Sequence, residues 1–208
     1  MNTALAESVV TPLAFFVNKG GIHMLMIILV VVVLLLAIIY ITMYNGLQKA
    51  KVYTEEAWSQ IDVQLKRRND LIPNLVETTK GYAKHEKETF AEVVKLRNQL
   101  VSLPDGDHQA KMEVSNQLTD TLRSIFALAE SYPDLKANQE FTKLMEELTN
   151  TENKIAYSRQ LFNSSAAAFN QKLLTFPSNL IAKIHHFTKV DYLSVPEEQK
   201  EAPKVSFD

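Results

Sequence analysis

The chain has 208 residues and a formal net charge of −2, with no basic excess to serve as a footprint for nucleic acid. It has no cysteine, which excludes disulfides, thiolate zinc sites, iron–sulfur clusters and cysteine nucleophiles. Only 5 glycines and 7 prolines disfavour a turn-rich all-β fold and suit long helices.

Residues 1–22 hold the apolar stretches Ala4–Val10 and Leu13–Val17 with few charges. They fit a short amphipathic helix in the membrane interface or packed on neighbouring copies, and they equally fit a poorly ordered terminus. Residues 23–43 form a membrane span. Met24 to Met43 carries no charge, glycine or proline. About 20 helical residues cover roughly 30 Å, the thickness of a bilayer's hydrocarbon core. A helix apolar on every side has no face for water, and a chain of this size is too small to bury one. The run exceeds a signal peptide's apolar core of about 7–15 residues, and no small-x-small cleavage site follows it. An uncleaved anchor is therefore expected. Lys19 stands on one side of it and Lys49 and Lys51 on the other. This asymmetry leans only slightly towards a cytoplasmic C-terminal body.

After the anchor the apolar period switches to three and four, with Leu47, Ala50, Tyr53, Ala57, Ile61 and Leu65 on one stripe. Asn45-Gly46 is a mild interruption, so the span is expected to run on into the first soluble helix. Asn69-Asp70-Leu71-Ile72-Pro73 predicts a break or sharp kink, with Asp70 as N-cap and Pro73 in a new first turn. The expected helices cover 45–69, 71–101, 108–131 and 137–175, separated by the Ser102–Asp107 loop and a connection at 134–138. They would be roughly 37, 46, 36 and 58 Å long, with short links that make neighbours antiparallel. A short helix at 178–184 should follow Phe176-Pro177. The fold class is thus all-α: an N-terminal transmembrane helix running into a long-helix antiparallel four-helix bundle at 44–187, then a C-terminal tail at 188–208. Part of one helix should project beyond the others.

Several polar residues lie beside or within the apolar stripes. Trp58, Asp62, Arg67, Arg68, Glu86, Glu152, Arg159 and Asn163 are the interaction or register candidates. Gln64, Arg97, Asn153 and Asn170 accompany them. Buried charges must be paired. The plainer reading is interhelical pairs that set register, beside a solvated face. The alternative is a polar groove that accepts a peptide or a second copy.

The stretch Ala57-Trp58-Ser59-Gln60-Ile61-Asp62-Val63-Gln64-Leu65-Lys66-Arg67-Arg68-Asn69-Asp70-Leu71-Ile72-Pro73-Asn74-Leu75-Val76 resembles the signature of the LemA family of bacterial membrane proteins. So do Gly81–Glu86, Ala129–Asn138, Thr151-Glu152-Asn153-Lys154-Ile155 and Phe176-Pro177-Ser178-Asn179. The resemblance covers about Tyr44 to Ala182. It departs at Leu161-Phe162-Asn163, where the family tends to have Tyr-Asn, and beyond Lys189. It implies a single-pass membrane protein with a helical-bundle domain and no established enzymatic activity. One branch of the family is associated with magnetosome membranes, and other members are found beside membrane heat-shock proteases.

No constellation points to catalysis, a metal or a cofactor. His85-Glu86-Lys87-Glu88-Thr89 lacks the second histidine that a zinc-protease helix needs. His185 and His186 are adjacent, so on a helix they diverge by about 100°. Asp105-Gly106-Asp107 is too short for a calcium loop, and there is no phosphate-binding loop or nucleophile elbow. The expected function is a self-associating, membrane-anchored scaffold or interaction protein of the bacterial inner membrane, without catalysis. Its partners would be the lipid bilayer, other copies of itself and a membrane protein, but no nucleic acid. The alternative is an adaptor or sensor subunit for a membrane protease or stress-response complex, with its groove near Trp58, Arg67, Arg68 and Glu152.

Overall fold

Nothing in the apolar run can end a helix, and α1 passes without a break from Lys19 to Thr79, 61 residues in all. At 1.5 Å per residue it is roughly 92 Å long. The computed structural model describes residues 19–81 and 87–194. The apolar stretches within 1–18, Glu86 with its neighbours Tyr82 and Ala83, and the end from Val195 lie outside the described residues. From Met24 to Ile41 the large apolar side chains of α1 are 40–69% exposed, all round the helix. This is a candidate membrane span, long and apolar enough to cross a bilayer and covered by none of the other described residues.

The expected break at Asn69–Pro73 is not there. Proline cannot donate to the carbonyl four residues back, here Asn69. That carbonyl accepts instead from Nε of Arg97, at 3.4 Å, on the helix packed alongside. Ile72 and Leu75 on either side of the proline are buried, at 1% and 0% exposure. Packing of both flanks and a replacement donor hold the helix through the proline. It ends six residues later, where the Thr79 hydroxyl bonds back to the Leu75 carbonyl at 2.7 Å and Lys80-Gly81 turns. The single helix expected at 71–101 is therefore divided between the end of α1 and α2, Lys87–Ser102.

The other helices are α3 (His108–Glu130), α4 (Pro133–Lys136), α5 (Gln139–Leu174) and α6 (Ser178–Ile184). Asp107 caps α3, its carboxylate accepting from the Ala110 amide at 3.0 Å. Asn138 caps α5, its side-chain oxygen accepting from the Glu140 and Phe141 amides. Helices α1, α2, α3 and α5 enclose one core, to which Ile61, Val93, Met112, Leu118, Ile155 and Phe162 contribute. No strand occurs among the described residues. Helix α5 runs antiparallel to α1, with Lys172 Nζ donating to the Gly46 carbonyl at 3.1 Å and Arg67 near Glu147 at 3.6 Å, 21 residues on along α1 and 25 residues back along α5. On the α1 stripe Tyr53 is 63% exposed. Thr54 takes the buried position instead, its hydroxyl satisfied by the Ala50 carbonyl at 3.0 Å.

Beyond α6 the chain stays packed as far as Leu193. His186 adopts a left-handed φ of 54°, and the Phe187 amide bonds back to the Ala182 carbonyl at 3.0 Å. This is the six-to-one bond of a Schellman stop. An extended strap then lies along α5 and buries Leu193 to 2% exposure. The tail boundary expected at 188 falls inside this packed segment.

Candidate functional site

The polar residues of the stripes converge on a joint between α1, α3 and α5. Arg68 follows Ile61 and Leu65 and precedes Ile72 and Leu75 on the buried face of α1, so helical phase carries its guanidinium inward. It is 0% exposed. Its Nη1 donates to Thr119 Oγ1 and Glu152 Oε2, both at 2.9 Å. Its Nη2 donates to the Ser115 carbonyl at 3.1 Å and to Ser115 Oγ at 2.6 Å. Thr119 Oγ1 also lies 3.0 Å from Glu152 Oε2. The planar fork of the guanidinium thus ties α1 to α3 and α5 at once, a geometry a lysine cannot copy.

Two turns after Glu152, Arg159 is also buried, and its Nη2 donates to Asn116 Oδ1 at 2.9 Å. The spacing of Glu152 and Arg159 does place them near one another, but the carboxylate hydrogen-bonds Arg68. Burial lowers the pKa of the Arg68 guanidinium from its ordinary value, Glu152 opposes this, and the charge of Arg159 adds to it. Burial likewise lowers that of Arg159, against the pull of Glu152. Both Nε–H groups lack an acceptor. The joint therefore places two buried cations near one carboxylate that is 33% exposed and bonds only Arg68 of the two.

A second polar site lies nearer the membrane end. Trp58, 8% exposed, stacks on His108 with ring centroids 3.7 Å apart, and Phe162 meets both rings edge-on. One turn beyond His108, Lys111 bridges Asp62 at 3.1 Å and Asp105 at 2.8 Å. Asp62 thus serves α3 and the loop before it, not Arg67 or Arg68. Burial pulls the Lys111 ammonium down, but its hydrogen bonds to Asp105 and Asp62 outweigh this and leave its pKa raised. The Asp105 carboxyl is held low by the hydrogen bond from Lys111. Arg67, next to Arg68 in sequence, points out of the bundle.

His108 has its pKa lowered, first by burial and then by Lys111, while Asp107 and Asp62 act the other way. A histidine with a depressed folded pKa favours the neutral folded form. The stability it contributes is present above its unfolded value, near 6.5, and is lost as pH falls through the lower folded value. Trp58 is the only tryptophan, so its emission reports the stack alone. Emission is expected to fall on acidification with a midpoint below 6.5, as the stacked imidazole becomes a cationic quencher. In His108→Phe this titration should vanish. A midpoint above 6.5, or an unchanged titration in the variant, would refute the assignment.

Asn163 and Asn170 form a third arrangement, seven residues apart on one face of α5. Each side-chain amide closes a two-bond clasp on the strap. Asn163 donates to the Leu193 carbonyl at 3.0 Å and accepts from its amide at 2.9 Å. Asn170 does the same with Val190, at 2.8 and 2.9 Å. Asn170→Ala removes two hydrogen bonds, worth about 1–3 kcal/mol together. Amide exchange at Val190 should accelerate roughly tenfold or more, with little change in the bundle's melting temperature. Unchanged protection of Val190 would show that the clasp does not hold the strap.

The partners on α3 (His108, Lys111, Ser115, Asn116 and Thr119) were not among the sequence candidates. Their signal was the spacing Lys111, Ser115, Thr119, four residues apart on one side of an apolar stripe. Two of the open grooves lie along α5. One of about 490 Å³ lies between α1 and α5 just below the span, lined by the small Gly46, Ala50, Ala57 and Ala168 together with the charged Lys49, Glu56 and Lys172. The other, of about 790 Å³, lies beside the strap between Tyr157, Arg159, Asn163 and Tyr192. Among the described residues no three His, Asp or Glu side chains are grouped as metal ligands would be.

Compared with known proteins, residues 57–207 match the LemA family. Protein LemA of Metamycoplasma hominis is 27% identical over 145 residues, which cover 70% of this chain and 66% of that protein. Magnetosome protein MamQ of Magnetospirillum gryphiswaldense is 25% identical over 177 residues, 74% of this chain and 62% of its own. Magnetosome protein MamQ 2 of Paramagnetospirillum magneticum is 24% identical over 200 residues, 85% and 74% of the two chains. The chain spans slightly less than two thirds of the length of the first two of these relatives. The family match runs from Trp58's neighbour Ala57 through the polar joint and past the strap, and with most of its length inside that match the chain belongs to the LemA family.

Proposed function

We propose that this protein is a single-pass, membrane-anchored helical scaffold of the bacterial inner membrane that acts by association with other copies of itself and not by catalysis. One observation carries the reading: an uncharged apolar helix, exposed on every side, continues without a joint into a bundle. Lipid is the solvent in which such a surface is stable. Confinement to a membrane raises the effective concentration of copies for one another. The span from Leu25 to Ile39 has no small-xxx-small pattern and no polar side chain, so it is a weak dimeriser by itself. Specificity then comes from the bundle, where Tyr53, Val63 and Tyr157 expose apolar surface at 61–67%.

The adaptor reading is favoured by the groove below the span, whose open, small-residue floor suits an apolar helix from another membrane protein. Arg68 is fully buried and unavailable to such a partner, whereas Glu152, bonded to it, stays 33% exposed at a groove between α3 and α5. Both readings are tested by a photo-crosslinker placed at Tyr53 and activated in native membranes at normal expression. The scaffold reading expects dimers and higher multiples of the chain. Monomers only would overturn it, and a single band with a different protein would move the conclusion to the adaptor.

A further inference from the structure

We infer that α6 and the turn before it form a second membrane contact, a foot that rests in the interface of a bilayer with anionic headgroups. The inference rests on the span reading above and assigns a role to a different part of the chain. Three observations place the foot.

The first is height. His185 Nε2 lies 2.6 Å from the Tyr40 hydroxyl, and its ring packs on Tyr44. Ile181 and Ala182 bury against Leu47, with Met43 alongside. The segment therefore sits beside residues 40–47, where the uncharged run ends and two tyrosines stand. Aromatic residues of this kind mark the boundary between hydrocarbon and headgroups.

The second is the face left open. With Ile181 and Ala182 turned inward, Phe176, Leu180 and Ile184 are 78%, 51% and 61% exposed. They are spaced by four, so Leu180 and Ile184 share the outer side of α6. Side chains of this size exposed together at the level of the lipid surface are continuous with the lipid-facing surface of α1.

The third is charge. The chain has 24 carboxylate side chains, yet none occurs in residues 24–54 or 153–190. The antiparallel pairing of α1 and α5 brings these two stretches to the same end of the bundle. Lys49, Lys183 and Lys189 lie there and are exposed, beside Lys172, whose ammonium bonds the Gly46 carbonyl. Lysine stems can lie on an apolar surface while their ammonium groups reach anionic headgroups.

The absence of cysteine makes the test direct. Single cysteines at Leu180, Ile184, Val32 and Tyr157 are labelled with an environment-sensitive dye in the full chain, which is then reconstituted into phosphatidylcholine vesicles with and without phosphatidylglycerol. Lipids spin-labelled near the top of the acyl chains, and for Val32 near their ends, serve as quenchers. Labels at Leu180 and Ile184 are expected to be quenched several-fold more than at Tyr157, and more strongly in anionic vesicles. Combined Lys49→Glu, Lys183→Glu and Lys189→Glu should remove the anionic preference. If the Val32 label is quenched but those at Leu180 and Ile184 behave like Tyr157, the foot is refuted while the span stands. If Val32 is unquenched, the span itself fails. Blue-shifted emission at Leu180 without lipid quenching would mean that another protein surface covers the foot, which also overturns the inference. Equal quenching in neutral and anionic vesicles would refute the headgroup selectivity.

Discussion

Arg68→Ala is expected to destabilise the bundle by about 3 kcal/mol or more, within the range of about 3–5 kcal/mol for removing one partner of a buried ion pair. The variant strands the Ser115 and Thr119 groups as well as Glu152, whose side chain is only 33% exposed and regains water incompletely. For a protein of this size that corresponds to a drop in melting temperature of roughly 6–12 °C, followed in detergent by Trp58 emission so that the apolar span does not dominate the signal. Arg68→Glu places a second carboxylate against Glu152 and should prevent the bundle from forming. Arg67→Ala, one residue away, is expected to cost less than about 1 kcal/mol, because Arg67 and Glu147 are 44% and 51% exposed and 3.6 Å apart. Similar melting temperatures for the two alanine variants would refute the joint between α1, α3 and α5.

Phe162→Ala is expected to cost about 3–5 kcal/mol, the usual range for truncating a fully buried phenylalanine. The ring is 1% exposed and closes the edge of the Trp58–His108 stack at 5.9 and 6.0 Å. Its loss opens a cavity beneath the tryptophan, so emission should shift to the red together with the fall in melting temperature. Phe162→Leu keeps most of the volume and should cost far less. If Phe162→Ala melted like the unaltered chain, the stack would be a surface feature and not part of the core.

Which parts of this architecture could be read from sequence follows from the range of the interactions involved. The anchor was legible because an uncharged run of 20 residues is a property of one segment. The start of α3 after the Ser102–Asp107 loop was legible for the same reason. The continuation of α1 through Pro73 was not, because the donor that replaces the missing amide comes from Arg97, 28 residues away on another helix. The difference between Arg67 and Arg68 was present in helical phase, since only Arg68 falls in step with Ile61, Leu65, Ile72 and Leu75. Asn163 and Asn170 stood out as polar residues on a buried face, but their partners are backbone groups of a segment with no periodicity. The strap was therefore invisible to pattern reasoning, although the family match extends beyond it.

Extraction of native membranes with alkaline carbonate tests most directly the claim that lipid surrounds α1 before Tyr44. The full-length chain is expected to stay with the membrane pellet and to be released only by detergent. Its recovery in the aqueous supernatant, or as a shortened form cut before Tyr44, would contradict the account.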